Sequence, residues 1–149
     1  SLDGCSAPQY SFKIKSISRA LNNLIKSYKY NLEYTEGVRT LINSILKNPE
    51  FIGGSDSFDT KVMKVSRGKI FCKTGAEGVF LFINIQKEIS GVVKITDGNE
   101  RAIPVSIINI FRELKLMNKV ELKNLEKKEK FSLHNHAGRK IGYVNSIMK

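Results

Sequence analysis

The 149-residue sequence predicts an α+β fold, an antiparallel β-sheet covered by helices, and three observations carry that prediction. Gly68 to Gly98 reads as three short strands joined by tight turns. Apolar residues recur at three- and four-residue spacing on both sides of that stretch, the mark of amphipathic helices. The order of elements is helices, strands, helix, strand, which suits a sheet with helices packed against it and not alternating β-α units.

Taken in order, residues 1–8 have loop composition, and Tyr10 to Lys15 reads as either a short strand or a helix lead-in. A first helix is expected from about Ser16, its N-cap, to Tyr28, because Ile17, Leu21, Leu24, Ile25 and Tyr28 share one face. A second begins at the N-cap Thr35, carries Val38, Leu41, Ile42, Ile45 and Leu46, and stops before Asn48-Pro49, where the residue before proline leaves the helical region. Phe51 to Asp56 is expected to be a loop. Ser57 then caps a short helix with Phe58, Val62 and Met63 that ends near Gly68.

In the central stretch Ile70 to Cys72 lead into Lys73-Thr74-Gly75, and a Gly-rich turn spans Gly75 to Gly78. Val79 to Ile85 is a β-branched and aromatic run, and Gly91 to Thr96 is another, bounded by Asp97-Gly98. Pro104 suits the first turn of a third long helix whose face is Val105, Ile108, Phe111 and Leu114, with Ile107 alongside. Asn118 to Lys130 mixes Glu with Lys and reads as a solvated connector. Lys140 to Ile147 reads as a last strand.

The length fits a single domain, 1–149, with a sizeable core, and 41% hydrophobic residues place the chain among globular proteins. No apolar run approaches the roughly 20 residues of a membrane helix. Two cysteines, Cys5 and Cys72, are too few for a disulfide framework, so a reducing cytoplasm is the expected setting. The net charge of +11 favours polyanions in general. The lysines are spread along the whole chain and form no stripe, so nucleic acid is an unfavoured partner.

Lys73-Thr74-Gly75 is the stretch closest to chemistry. A lysine at a strand end projects to one face, and the glycine lets a ligand pass close to the backbone. Such an ammonium holds a carboxylate, lowers the pKa of a hydroxyl or relays a proton. The same tripeptide also suits a surface lysine before a hairpin turn. In Asp3-Gly4-Cys5 a thiolate and an acid lie two residues apart, but one cysteine is not a zinc site. The Ser-x-x-Lys spacing of acyl-transfer enzymes occurs three times, at Ser44/Lys47, Ser66/Lys69 and Ser146/Lys149, and none of these begins a buried helix. His134-Asn135-His136 lacks a third ligand and reads as a polar turn between strands closed by Gly138. No phosphate-binding loop, dinucleotide fingerprint or paired-cysteine zinc pattern is present.

Five segments in order carry a resemblance: DGCSAP from Asp3, NPEFIGG with SFDTKVM from Asn48 to Met63, KTGAEGV from Lys73, KITDG from Lys94, and NHAGRKIGYV from Asn135 to Val144. Together they resemble the rhizobial-type, thermolabile L-asparaginases, the asparaginase II family, related in fold to serine β-lactamases and penicillin-binding proteins. AEGV after KTG and the NHAGR segment fit this family better than other acyl-transfer enzymes of the penicillin-recognising fold.

The resemblance implies an amidohydrolase that converts L-asparagine and water to L-aspartate and ammonia. In the family a Ser-Lys pair of the first half supplies nucleophile and base, and a second serine works with a second-half lysine, which Lys73 matches. Thr74 and Gly75 would then lie along the substrate. The family's zinc, held by two cysteines and a lysine, implies Cys5 as a metal ligand, with Asp3 near the substrate's polar groups. The first-half Ser-Lys pair, the second serine and the other zinc ligands have no counterpart here. The chain is therefore expected to be the C-terminal half of such an enzyme, inactive alone, with an apolar face that associates with the missing half or with a second copy. The alternative expectation is a basic, non-catalytic module for nucleic acid or an acidic partner.

Overall fold

The computed structural model describes residues 2, 6–129 and 131–147. Six helices, α1 (Ile14–Lys29), α2 (Thr35–Lys47), α3 (Glu50–Gly53), α4 (Phe58–Val65), α5 (Ile103–Glu113) and α6 (Lys119–Glu126), surround five strands. The strands are β1 (Ile70–Gly75), β2 (Val79–Asn84), β3 (Ile89–Lys94), β4 (Ser132–His134) and β5 (Lys140–Tyr143). The first three form an antiparallel meander in the order β1-β2-β3, and β4-β5 form a separate hairpin. The α+β architecture is therefore the one the sequence predicts.

The meander follows from its composition. β2 is Val-Phe-Leu-Phe-Ile-Asn, and its register pairs Cys72 with Phe82 and Lys73 with Leu81 on β1. Glu77 and Gly78 both take positive φ between β1 and β2. At Gly78 a Cβ would stand 2.8 Å from Ile95 and 3.1 Å from the Gly98 backbone, so only glycine fits this turn. β3 is displaced two residues toward the N-terminus from its predicted span, because Gly91 lies inside the strand opposite Phe82 and does not start it.

Strand alternation sends side chains to two faces. One face meets α4, α5 and α6 in a core that includes Met63, Ile70, Cys72, Phe80, Phe82, Ile107, Phe111 and Leu125. The Phe82 and Phe111 rings meet edge-on at 5.1 Å. The other face meets α1 through Leu21, Ile25 and Ile83. β1 is an edge strand, and its Ile70 N–H donates to the Ser66 hydroxyl at 3.3 Å, off the end of α4.

Several boundaries differ from expectation. The first helix starts at Ile14, not Ser16, with Lys13 as its N-cap. Thr35 is already helical, and its hydroxyl bonds back to Leu32 instead of capping the helix. Phe51 to Gly53 belong to the helical turn α3. On α5 the buried face is Ile103, Ile107, Ile108 and Phe111, and Leu114 lies past the helix end and is exposed. The last strand ends at Tyr143.

The largest correction is α6, which replaces the expected solvated connector. Leu122 and Leu125 are one turn apart and buried among the charges, and Asn118 with Glu121 forms a reciprocal capping box. Lys69 reaches Glu121 at 2.5 Å, tying α6 to the start of β1.

Candidate functional site

A cavity of about 470 Å³ opens where the start of α4, the end of β1 and the start of α5 meet. Lys73, Thr74 and Gly75 line it together with Ser57 and Asp59, and Glu100 stands at its rim. The sequence predicted the first three; Asp59 was not singled out.

The site is assembled from local rules. Ser57 caps α4, accepting the Thr60 N–H at 3.3 Å, as predicted. Asp59 therefore falls in the first helical turn, where the helix dipole favours a carboxylate. Its side chain turns inward and is 1% exposed. Asp59 Oδ1 accepts the Thr60 N–H at 3.0 Å, and Oδ2 accepts the Thr74 N–H at 3.1 Å. Gly53 makes room for this: a Cβ there would run onto the Asp59 carboxylate and lie 2.5 Å from Ser57 Oγ.

Lys73 is half-exposed. Its Nζ donates to the Thr74 carbonyl at 2.6 Å and forms an ion pair with Asp59 Oδ2 at 3.5 Å. An ammonium has three N–H donors, so one remains for a ligand in the cavity. Burial pushes the Asp59 carboxyl up, but the Ser57 hydroxyl, the Thr74 N–H, the Lys73 charge and the Thr60 N–H together hold it below its ordinary value. Asp59 is thus an anion at neutral pH. Cys72 lies beneath, with Sγ 3.5 Å from the Asp59 carbonyl, and burial followed by the Asp59 charge pushes its thiol well up. It is an inert core residue, not a ligand or nucleophile.

Asp3 and Cys5 lie outside the described residues. Among the described residues no three of His, Cys, Asp and Glu converge as a metal site would need. The Ser-x-x-Lys pairs do not build a site. Ser66 is buried and donates to the Met63 carbonyl at 3.2 Å, while Lys69 is paired with Glu121. Ser44 and Lys47 are exposed on α2. Ser146 accepts from Asn109 at 3.4 Å, and Lys149 lies outside the described residues. His134 and His136 are exposed at the β4-β5 turn, which Gly138 closes with positive φ, as the sequence predicted.

A second cavity, about 580 Å³, lies between α5, α6 and the β4-β5 hairpin over Val105, Ile108 and Phe131. Its polar edge is engaged in the Arg112–Glu126 ion pair and the Asn109–Ser146 contact. No helix among the described residues is long and apolar enough to cross a membrane.

The arrangement at Lys73 suits charge stabilisation: a fixed ammonium beside a backbone-lined opening, with a buried carboxylate behind it. A family model described as L-asparaginase II matches residues 1–146. No curated protein matches the chain.

Proposed function

The chain belongs to the L-asparaginase II family, and from that membership we propose that it supplies the lysine wall of an amidohydrolase site that converts L-asparagine and water to L-aspartate and ammonia. The observation that carries this reading is the Lys73-Thr74-Gly75 segment at the mouth of the 470 Å³ cavity, with one Lys73 donor left over. In this reading Lys73 acts on a serine hydroxyl or on the substrate's charged end, and Thr74 and Gly75 offer backbone to the substrate.

Of the hydroxyl residues lining this cavity, Ser57, the α4 N-cap, donates to the Gly54 carbonyl at 3.1 Å, and Thr74 belongs to the matched tripeptide. In this reading the nucleophilic serine and its base are the family's first-half Ser-Lys pair, which has no counterpart in these 149 residues and would come from another stretch of the same protein or from a separate polypeptide, so these residues alone would be inactive. Zinc of the family's kind would rest on Cys5 with ligands from that same companion, and Asp3 would face the substrate. The described residues offer no complete ligand set of their own.

The test is ammonia release from L-asparagine, by this chain alone and mixed with a first-half polypeptide bearing the Ser-Lys pair. Activity is expected only on mixing, with Lys73→Ala reducing it by about 10²-fold or more, the scale of a lost acid–base group. Activity from this chain alone overturns the assignment of the nucleophile. Silence from the mixture of two folded pieces overturns the enzyme reading.

The alternative, a basic binding module, has one observation in its favour. A cleft between α4 and α6 is lined by Lys64, Arg67, Lys127 and Lys128. Steep loss of polyanion affinity with rising salt would support it.

A further inference from the structure

We propose that Asp59 is a positioning residue for Lys73: it fixes the outward peptide of Thr74 and the Lys73 ammonium together, so that the amine presents one set direction to the cavity. The inference rests on the amidohydrolase reading for its chemical meaning and on the contacts of Asp59 for its geometry.

A buried carboxylate is costly unless it is paired and hydrogen-bonded. Asp59 is both, and its partners come from two places in the chain: its own helix, through the Thr60 N–H, and the end of β1, through the Thr74 N–H and Lys73. Helix capping alone does not explain this, since a first-turn aspartate gains its interaction with the dipole at the surface. What the inward turn adds is the link to Thr74 and Lys73. In a strand, N–H and C=O of one residue point the same way, and on β1 those of Thr74 face α4. Asp59 takes the N–H at 3.1 Å and Lys73 takes the C=O at 2.6 Å, which brings the two charges to 3.5 Å. The flexible lysine stem is thereby anchored twice, and two of its three donors are assigned.

The other charged or titratable groups around the pair are Glu100 at the rim and Cys72 beneath Asp59. Neither forms an ion pair with Lys73 in this structure. Asp59 is thus its facing anion. Gly53 serves the same geometry, because a side chain there would displace the carboxylate.

The experiment uses the assembled enzyme and a second readout that needs no turnover. Asp59→Asn is expected to lower kcat by about ten- to hundred-fold, as small misplacements of a reacting group do. The loss falls on kcat with KM little changed, the split expected when a group acting in the transition state is misdirected and not removed. Leu125→Ala, a distant core variant, lowers stability and leaves kcat in place. In parallel, the isotope-labelled Lys73 side chain, assigned by its loss in Lys73→Arg, is followed by NMR, and its Cε and Nζ signals should shift toward those of a free lysine in Asp59→Asn.

Lys73 signals unchanged in Asp59→Asn overturn the positioning role. Shifted Lys73 signals without ammonia release from any assembled form overturn the amidohydrolase reading and leave the positioning role standing. If Asp59→Asn does not fold, Gly53→Ala, which pushes the carboxylate aside, is read in the same two ways.

Discussion

The two faces of the β1-β2-β3 sheet are built to different standards. The face toward α4, α5 and α6 buries Phe80, Phe82, Phe111, Met63 and several isoleucines completely or nearly so. The face toward α1 has a small cluster, in which Leu21, Ile25 and Ile83 are buried and Phe71, Leu81 and Val92 only partly covered. The candidate site lies at the end of the sheet on the thick side, where Phe58 and Ile103 close the cavity beside Asp59. Lys73 is in register with Leu81 of the other face and reaches Asp59 around the β1 edge, so the close-packed thick face positions the lysine through the carboxylate it holds.

Mutations sharpen or break this contrast. Phe111→Ala removes a fully buried ring at the centre of the thick face and should cost about 3–5 kcal/mol in urea unfolding, enough to threaten folding. Leu21→Ala, on the thin face, should cost about 2 kcal/mol, the low end for a leucine, and leave the Lys73 site intact. Equal losses from the two would erase the distinction between the faces. The Asp59 carboxyl sits below its ordinary value of 3.8 in the folded chain, so its stabilisation is complete above that value. It is lost as the pH falls through the lowered folded value. Stability of Asp59→Asn should therefore depend less on acid than that of the parent, measured as urea midpoints on either side of 3.8. Asn118→Ala, which removes the α6 cap under the thick face, should cost about 1 kcal/mol. A larger loss would show that α6 is a main support of that face.

The sequence made the meander legible because β-branched and aromatic runs between glycine turns have few other solutions. It also showed Lys73-Thr74-Gly75 as one unit at a strand end. It did not reveal α6, because two leucines three residues apart in a charge run look solvated until the surface they cover is known. The Asn118 to Glu121 spacing, a capping-box pattern with asparagine in the serine position, was the available signal. Asp59 was invisible for another reason. Its contacts with Lys73 and Thr74 join residues 14 and 15 positions apart, and nothing local in SFDTKVM shows that the carboxylate turns inward. The Gly53 contact with Asp59 likewise appears only once α3 and α4 are folded together.

The edge position of β1 has a consequence for solubility. An uncovered strand edge is a template on which another chain can add. Here Ser66 takes the Ile70 N–H and Asp59 takes the Thr74 N–H, so that edge is occupied at both ends by side chains from the segment before it. Loss of the Asp59 carboxylate would reopen the far end beside the cavity. Lesions at position 59 should then reveal themselves first as self-association through strand pairing, visible in light scattering before the fold itself is lost.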